Sequence, residues 1–269
     1  MEKTLVTHIN PHLDDIFAIW LYKKYVPGFA DTPVEFISAS REAASQDEDK
    51  IFIGTGGGDF DEHKEGLDTC AGTLVFEYIG EHTFLPEDEI AIKALEEMVE
   101  WNQISDTGKM PVRDWGEFDV PAFIRPLDGS TESSLKAVEL GSEILNRILE
   151  VLKRKQQSML DWEGRVEFES KFGKSIAVKS ETINREFCRQ MGGDLFLMYD
   201  PRYGSVQYFT PSFEIDLEPI YKKLKEKDPS ASWFLHQSHH MVICGSGSAP
   251  DFNKTKLSFD SLIEVAKKI

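Results

Sequence analysis

The sequence is poor in cysteine, short of cationic side chains relative to acidic ones, and free of long apolar runs. Only three cysteines occur in 269 residues, Cys70, Cys188 and Cys244, with no paired spacing. A disulfide framework is therefore not expected, whereas free thiols in a reducing cytoplasm are. No stretch approaches the about 18 consecutive apolar residues of a membrane span, and the N-terminal MEKTLVTH has no basic segment ahead of an apolar one. Neither a spanning helix nor a signal peptide is expected. Lys and Arg number 30 against 47 Asp and Glu, a formal net charge of −17. Long nucleic acid is disfavoured as a partner, because its phosphates demand clustered Lys and Arg on one surface. A local basic groove is still compatible with that total, and the simplest meaning of the surplus acid is a solvated surface. Internal repeats and low-complexity tracts are also missing.

What is present suits an α/β protein with more than one domain. A hydrophobic fraction of 41% in a chain of this length is enough to build a core for one large or two modest domains. Residues 3–8, 34–39 and 50–54 are rich in β-formers, and residues 14–25 between the first two repeat apolar side chains at helical spacing. That order is the rhythm of a parallel sheet. Segments 67–79 and 86–104 read as helices, the second introduced by Pro86. The Pro126, Asp128, Gly129 cluster marks a break. Leu135, Val138, Leu140, Ile144, Leu145, Ile148, Leu149 and Leu152 then recur at helical intervals in a stretch running to about Ser170, as in a long helix or helix pair. The remainder alternates strand-like SIAVKS, DLFLMYD, SVQYFTP and HHMVICG with helix-like EFCRQM, EPIYKKLKEK and FDSLIEVAKKI. The expected organisation is a parallel-sheet domain over 1–128, a helical linker over 129–172 and a smaller α+β domain over 173–269.

Chemistry concentrates first in THINPHLDDIFA, residues 7–18. His8 ends the first expected strand, while His12, Asp14 and Asp15 occupy the following loop and first helical turn. Open α/β sheets bind ligands at the carboxyl ends of their strands, so these side chains can converge on one point. An Asp at a helix start also caps backbone N–H groups. Two histidines beside two carboxylates are nevertheless costly to bury unless a cation neutralises them, and the set suits Mn, Zn, Fe or Mg. IFIGTGGGDFDEHK, residues 51–64, returns to the same sheet edge. Its glycines permit positive φ and close approach of backbone to a ligand, and Asp59, Asp61, Glu62 and His63 follow them. Asp106 ends an expected helix, where a carboxylate opposes the dipole and needs another partner.

THINPHLDDI resembles the first metal motif of the DHH phosphoesterase superfamily, especially the GHKNPDTDS segment of family II inorganic pyrophosphatases. It is also similar to the THxxTFHCDE segment of the melanocyte-proliferating-gene exonuclease family. The second motif, followed by Thr69-Cys70-Ala71-Gly72-Thr73-Leu74, resembles the VDVGG...YDHHQ and SSAGL region of that exonuclease family. Ile104-Ser105-Asp106-Thr107 resembles a further metal motif. The resemblance by motif covers about the first 110 residues, and beyond that it is one of architecture alone. It implies a DHH-like N-terminal domain in which His8, His12, Asp14, Asp61, His63 and Asp106 hold a divalent metal, with His63 as the catalytic histidine. Two positions depart: Gly54 stands where those families have a strand Asp, and Glu62 where they have the first His of the tripeptide. Glu62 or Asp59 would then replace a lost ligand, or the site would hold one metal instead of two. The architecture also implies that Ser238, His239 and His240 contact substrate, with Arg185, Arg189, Lys254 and Lys256 as further phosphate contacts.

The function expected is a cytoplasmic, metal-dependent hydrolase, a phosphoesterase or nuclease acting on a nucleotide or short oligonucleotide. Mn is the first expectation for the cation, with Mg, Zn and Fe as alternatives. An inorganic pyrophosphatase and a non-catalytic metal or nucleotide-binding module are the rival readings, and a homo-oligomer stays open.

Overall fold

The computed structural model describes residues 3–39, 49–64, 68–112, 114–246 and 251–269. Its contacts divide the chain into two compact units, Met1–Lys153 and Arg154–Ile269. Both mix helices with sheet, and the protein is of the α/β class.

In the first unit, β1 (Thr4–His8) lies between β2 (Val34–Ile37) and β3 (Lys50–Phe52) in a three-stranded parallel sheet. Leu5, Val6 and Thr7 are each fully buried, as expected for a central parallel strand covered on both faces. After β1 the chain turns through Asn10, at φ +59, into α1 (Leu13–Tyr25). Every residue of α1 from Leu13 to Tyr22 is buried, so this helix runs through the interior. Asp14 and Asp15 are buried with it. Against α1 pack α2 (Ala71–Glu81) and α3 (Glu89–Asp106), and Phe17, Leu21, Val75, Ile79, Leu95 and Met98 share one core. Each such side chain contributes about 1.5–3 kcal/mol when fully buried. A 3₁₀ turn (Gly116–Phe118) and the short α4 (Val120–Ile124) lead to α5 (Thr131–Glu163). A Cβ at Gly141 of α5 would meet Ile16, so glycine lets α5 lie tightly on α1.

α5 runs on into the second unit. There six strands lie in the order β4 (Val166–Ser170), β5 (Gly173–Lys179), β6 (Leu195–Asp200), β7 (Ser205–Phe209), β9 (Met241–Cys244), β8 (Trp233–Leu235). β5 and β6 pair in parallel, joined by the crossover helix α6 (Arg185–Met191), and the other pairs are antiparallel. Alternation divides the buried side chains between the two faces. Ile176, Val178, Phe196 and Met198 join Trp162 and Phe187 on one, while Ala177, Leu195 and Leu197 join α7 (Glu218–Lys227) and α8 (Phe259–Lys267) on the other.

Several expected elements shift. The helix read as starting at Pro86 begins at Glu89, because the Asp88 side chain accepts from Ile90 N–H and fixes the start there. The helix expected over 67–79 begins at Ala71, with Leu67 outside the described residues. Residues 166–170, read from the sequence as part of a helical stretch, form β4. Gly164 follows the end of α5, and β4 pairs with β5 through Val166 to Ser170. No described helix is long and apolar enough to cross a membrane. Cys70, Cys188 and Cys244 are buried free thiols.

Candidate metal centre

The loop after β1 and the segment after β3 leave the same edge of the parallel sheet, which places their polar side chains side by side. His8 Nδ1 faces the Ile9 carbonyl at 2.8 Å, leaving Nε2 to meet Asp15 Oδ2 at 3.0 Å. A backbone carbonyl at one ring nitrogen sets the tautomer that offers the other nitrogen to a ligand. Asp15 Oδ2 also accepts from the N–H of His12, the N-cap of α1, at 2.8 Å. The His8 imidazole is pushed up to about 9, chiefly by its hydrogen bond to Asp15 and against the effect of burial.

Asp14 faces another element. Its Oδ2 accepts from Ala71 N–H at 2.7 Å, and its Oδ1 from Gly72 N–H at 2.9 Å and from Asn102 Nδ2 at 2.6 Å. Asp14 thus satisfies the first amides of α2, whose own N-cap, Cys70, makes no side-chain cap. Burial, and then the neighbouring Asp15 charge, push Asp14 up to about 6.

The glycine turn shapes the second segment. Gly56 and Gly57 adopt φ of 82° and 73°, and Gly57 N–H donates to Asp61 Oδ2 at 2.6 Å. Asp61 Oδ1 lies 3.0 Å from both the backbone N and ring Nδ1 of His63. Burial raises the Asp61 carboxyl, but the Gly57 and His63 donors outweigh it and hold it below its ordinary value. Beside them, Glu62 keeps its Oε2 buried without a partner. Burial first, and then the charges of Asp14 and Asp15, push Glu62 up to about 7.

Three groups of potential ligand atoms result in the first unit: His8, His12 and Asp15; Asp61, Glu62 and His63; Asp14, Glu62 and Asp106; a fourth, the more exposed Asp216, Glu218 and His239, lies in the second unit. Within each the atoms lie within 4.8 Å of one another. Nitrogen and oxygen ligands at about 2.0–2.2 Å from a cation stand up to about 4.4 Å apart, so small side-chain adjustments at most are needed for each group to share a divalent ion. The donor set is imidazole and carboxylate, and the orphaned Glu62 oxygen is the kind of atom that a bound cation satisfies.

All six side chains expected as ligands, His8, His12, Asp14, Asp61, His63 and Asp106, fall in these groups. Two others join them. Asp15 stands with the histidines of the first motif, and Glu62 belongs to two groups, whereas Asp59 is exposed and belongs to none. Gly54, at φ +64, packs against Asp15 so closely that a Cβ there would overlap Asp15 Oδ1. The carboxylate of Asp15 fills the space into which a side chain at position 54 would project. Asn102 and Arg125, which line a cavity together with His12, Asp14 and Asp106, carried no signal in the sequence, since tertiary packing alone brings them there.

Ser238, His239 and His240 lie in the second unit, described by itself. Pairing of β9 begins at Met241, so His239 and His240 precede the strand and strand alternation does not apply to them. His239, at φ +59, has Nδ1 3.1 Å from Asp216 Oδ1; His240 Nδ1 is 3.0 Å from the Ile215 carbonyl; Ser238 Oγ is 2.8 Å from His236 Nδ1. Arg189 pairs with Glu186 and lies over Phe209. Gly247 and Ser248, which follow β9, lie outside the described residues.

No family model matches the sequence, and no curated protein does. Among solved structures, one match is an uncharacterized protein from Helicobacter pylori G27, 10% identical, spanning 99% of this chain and 98% of that one, with a TM-score of 0.27. A likeness at that score carries no conclusion about fold or activity.

Proposed function

We propose that the first unit is a divalent-metal-dependent phosphoesterase of the DHH type, acting on a nucleotide or short oligonucleotide. The observation that carries this reading is the shared Glu62, with a buried unpartnered oxygen, between two groups of ligand atoms beside a third. His8, His12, Asp14, Asp61, His63 and Asp106 would hold the ion, preferably Mn, together with Asp15 and Glu62. A cation bound there supplies Lewis-acid charge to phosphoryl oxygens and makes hydroxide available near neutral pH. The chain's own part is to orient and to hold protons. Asp61 fixes the His63 ring through Nδ1, leaving Nε2 for ligand or proton, and Ile9 does the same for His8. Asp14 ties α1 to α2 and α3.

The two departures from the DHH pattern have local counterparts, which supports the reading. Asp15 occupies the space beside Gly54, and Glu62 supplies an oxygen in place of a ring nitrogen. The same departures favour a second reading, metal or nucleotide binding without turnover. Hydrolysis of bis-p-nitrophenyl phosphate, a dinucleotide and pyrophosphate with added Mn separates the readings. Turnover of the first two, lost in His8→Ala, is expected. Turnover of pyrophosphate alone would make the centre a pyrophosphatase, and nucleotide binding with no turnover of any of them would make it a binding module. Full activity in His8→Ala would overturn the assignment of the site.

A further inference from the structure

Arg125 follows α4 directly and lines a cavity of about 180 Å³ with His12, Asp14, Asn102, Ser105 and Asp106. The buried Ile124 beside it, packed near Gly141, fixes the helix end in the core and with it the backbone at Arg125, whose side chain is exposed. Among the described residues its guanidinium has neither an ion pair nor a hydrogen bond. In a chain of net charge −17, a cation left without a carboxylate on a cavity that contains two of them is unusual. Asn102, fully buried on the same cavity, keeps its Oδ1 without a donor while its Nδ2 binds Asp14. The cavity therefore offers a ligand polar groups of both kinds, the five N–H donors of the exposed Arg125 fork and one buried carbonyl acceptor without a donor, Asn102 Oδ1. A tetrahedral oxyanion carried with a hydroxyl or a water meets both demands: its oxygens suit the fork, and the O–H suits Asn102.

We infer that this cavity is the phosphoryl subsite of the centre and that Arg125 is its specificity-determining cation. The inference rests on the proposed phosphoesterase reading and names which part of the substrate is read. Pockets that enclose a drug-sized ligand occupy about 300–1,000 Å³. At about 180 Å³ this one holds the phosphoryl group and little more, leaving the rest of the ester outside it. The site selects for the phosphate and is indifferent to the base.

The test uses the Mn-loaded full chain and inorganic phosphate as the probe. Arg125→Ala should weaken phosphate binding by about tenfold or more in calorimetry, and Arg125→Lys should restore part of it, because Lys keeps the charge and loses the fork. Bound Mn and the thermal midpoint should stay close to those of the unchanged chain, since Arg125 is exposed and belongs to none of the groups of ligand atoms. In turnover, KM for bis-p-nitrophenyl phosphate and for a dinucleotide should rise by the same factor. Mn uptake with phosphate affinity unchanged in Arg125→Ala would overturn this inference alone. A rise in KM confined to the dinucleotide would also overturn it, because the base would then be what is read. Failure of the unchanged chain to take up Mn would overturn the phosphoesterase reading itself.

Discussion

Glu62 keeps one carboxylate oxygen inside the protein with no donor, next to Asp14 and Asp15. If that oxygen is a ligand, Glu62→Gln lowers Mn affinity by about tenfold or more, while relieving like-charge repulsion and so stabilising the chelated protein. Calorimetric titration and a thermal melt measure the two effects, and unchanged affinity removes Glu62 from the ligand set. Gly54→Ala acts on the same centre from the other side. Its Cβ would overlap Asp15 and its φ is positive, so about 1–3 kcal/mol of stability and the Mn affinity should fall together. Asp14 gives a pH dependence. Its folded value, about 6, lies above the ordinary value of about 3.9, so the folded state retains a proton that the unfolded chain releases. Stability of the chelated protein therefore falls as pH rises from about 4 to 6, and Asp14→Asn flattens that slope. Chemical denaturation across that range reads it, and an identical slope in the variant would assign the effect elsewhere.

At the scale of elements, Asp228 follows α7 and accepts from Lys256 N–H at 2.7 Å and from the Thr255 hydroxyl at 2.8 Å, anchoring the approach to α8. These bonds, the Lys256 N–H first, hold its carboxyl below the ordinary value despite burial. The contribution is present above the unfolded value and is lost as pH falls through the folded one. Asp228→Asn should cost about 1–3 kcal/mol at pH 7 and less in acid, as measured by urea unfolding. The order of elements around the first motif was legible because an apolar strand, a polar loop and an apolar helix are written in sequence at His8, His12 and Phe17. β4 was not, because Val166 to Ser170 follow a long helical pattern and only pairing with β5 makes them a strand. β8 spans Trp233–Leu235, too short for alternation to register. The site was legible where its residues are neighbours in the chain, as in 8–15 and 61–63. That Asp15 would face His8 while Asp14 faces α2 was not, since adjacent helical positions differ by about a third of a turn and the sequence does not say which side the helix buries. Asn102 and Arg125 reach the cavity only through the packing of α3 and α4.

For the whole molecule, a surplus of acid at −17 and a crowd of carboxylates in one unit both favour cation uptake over anion uptake. A ligand that binds only the folded state adds about 2.7 kcal/mol at a free concentration of a hundred times its Kd, so Mn should raise the unfolding temperature of the first unit by several degrees. The proposed centre and phosphoryl subsite both depend on a divalent ion being there. Metal analysis of the chain purified without chelator, followed by Mn titration of the stripped protein, measures this most directly. One or two divalent ions per chain, lost in His8→Ala and bound more weakly in Glu62→Gln, is the result expected; a chain that carries none and takes up none contradicts it.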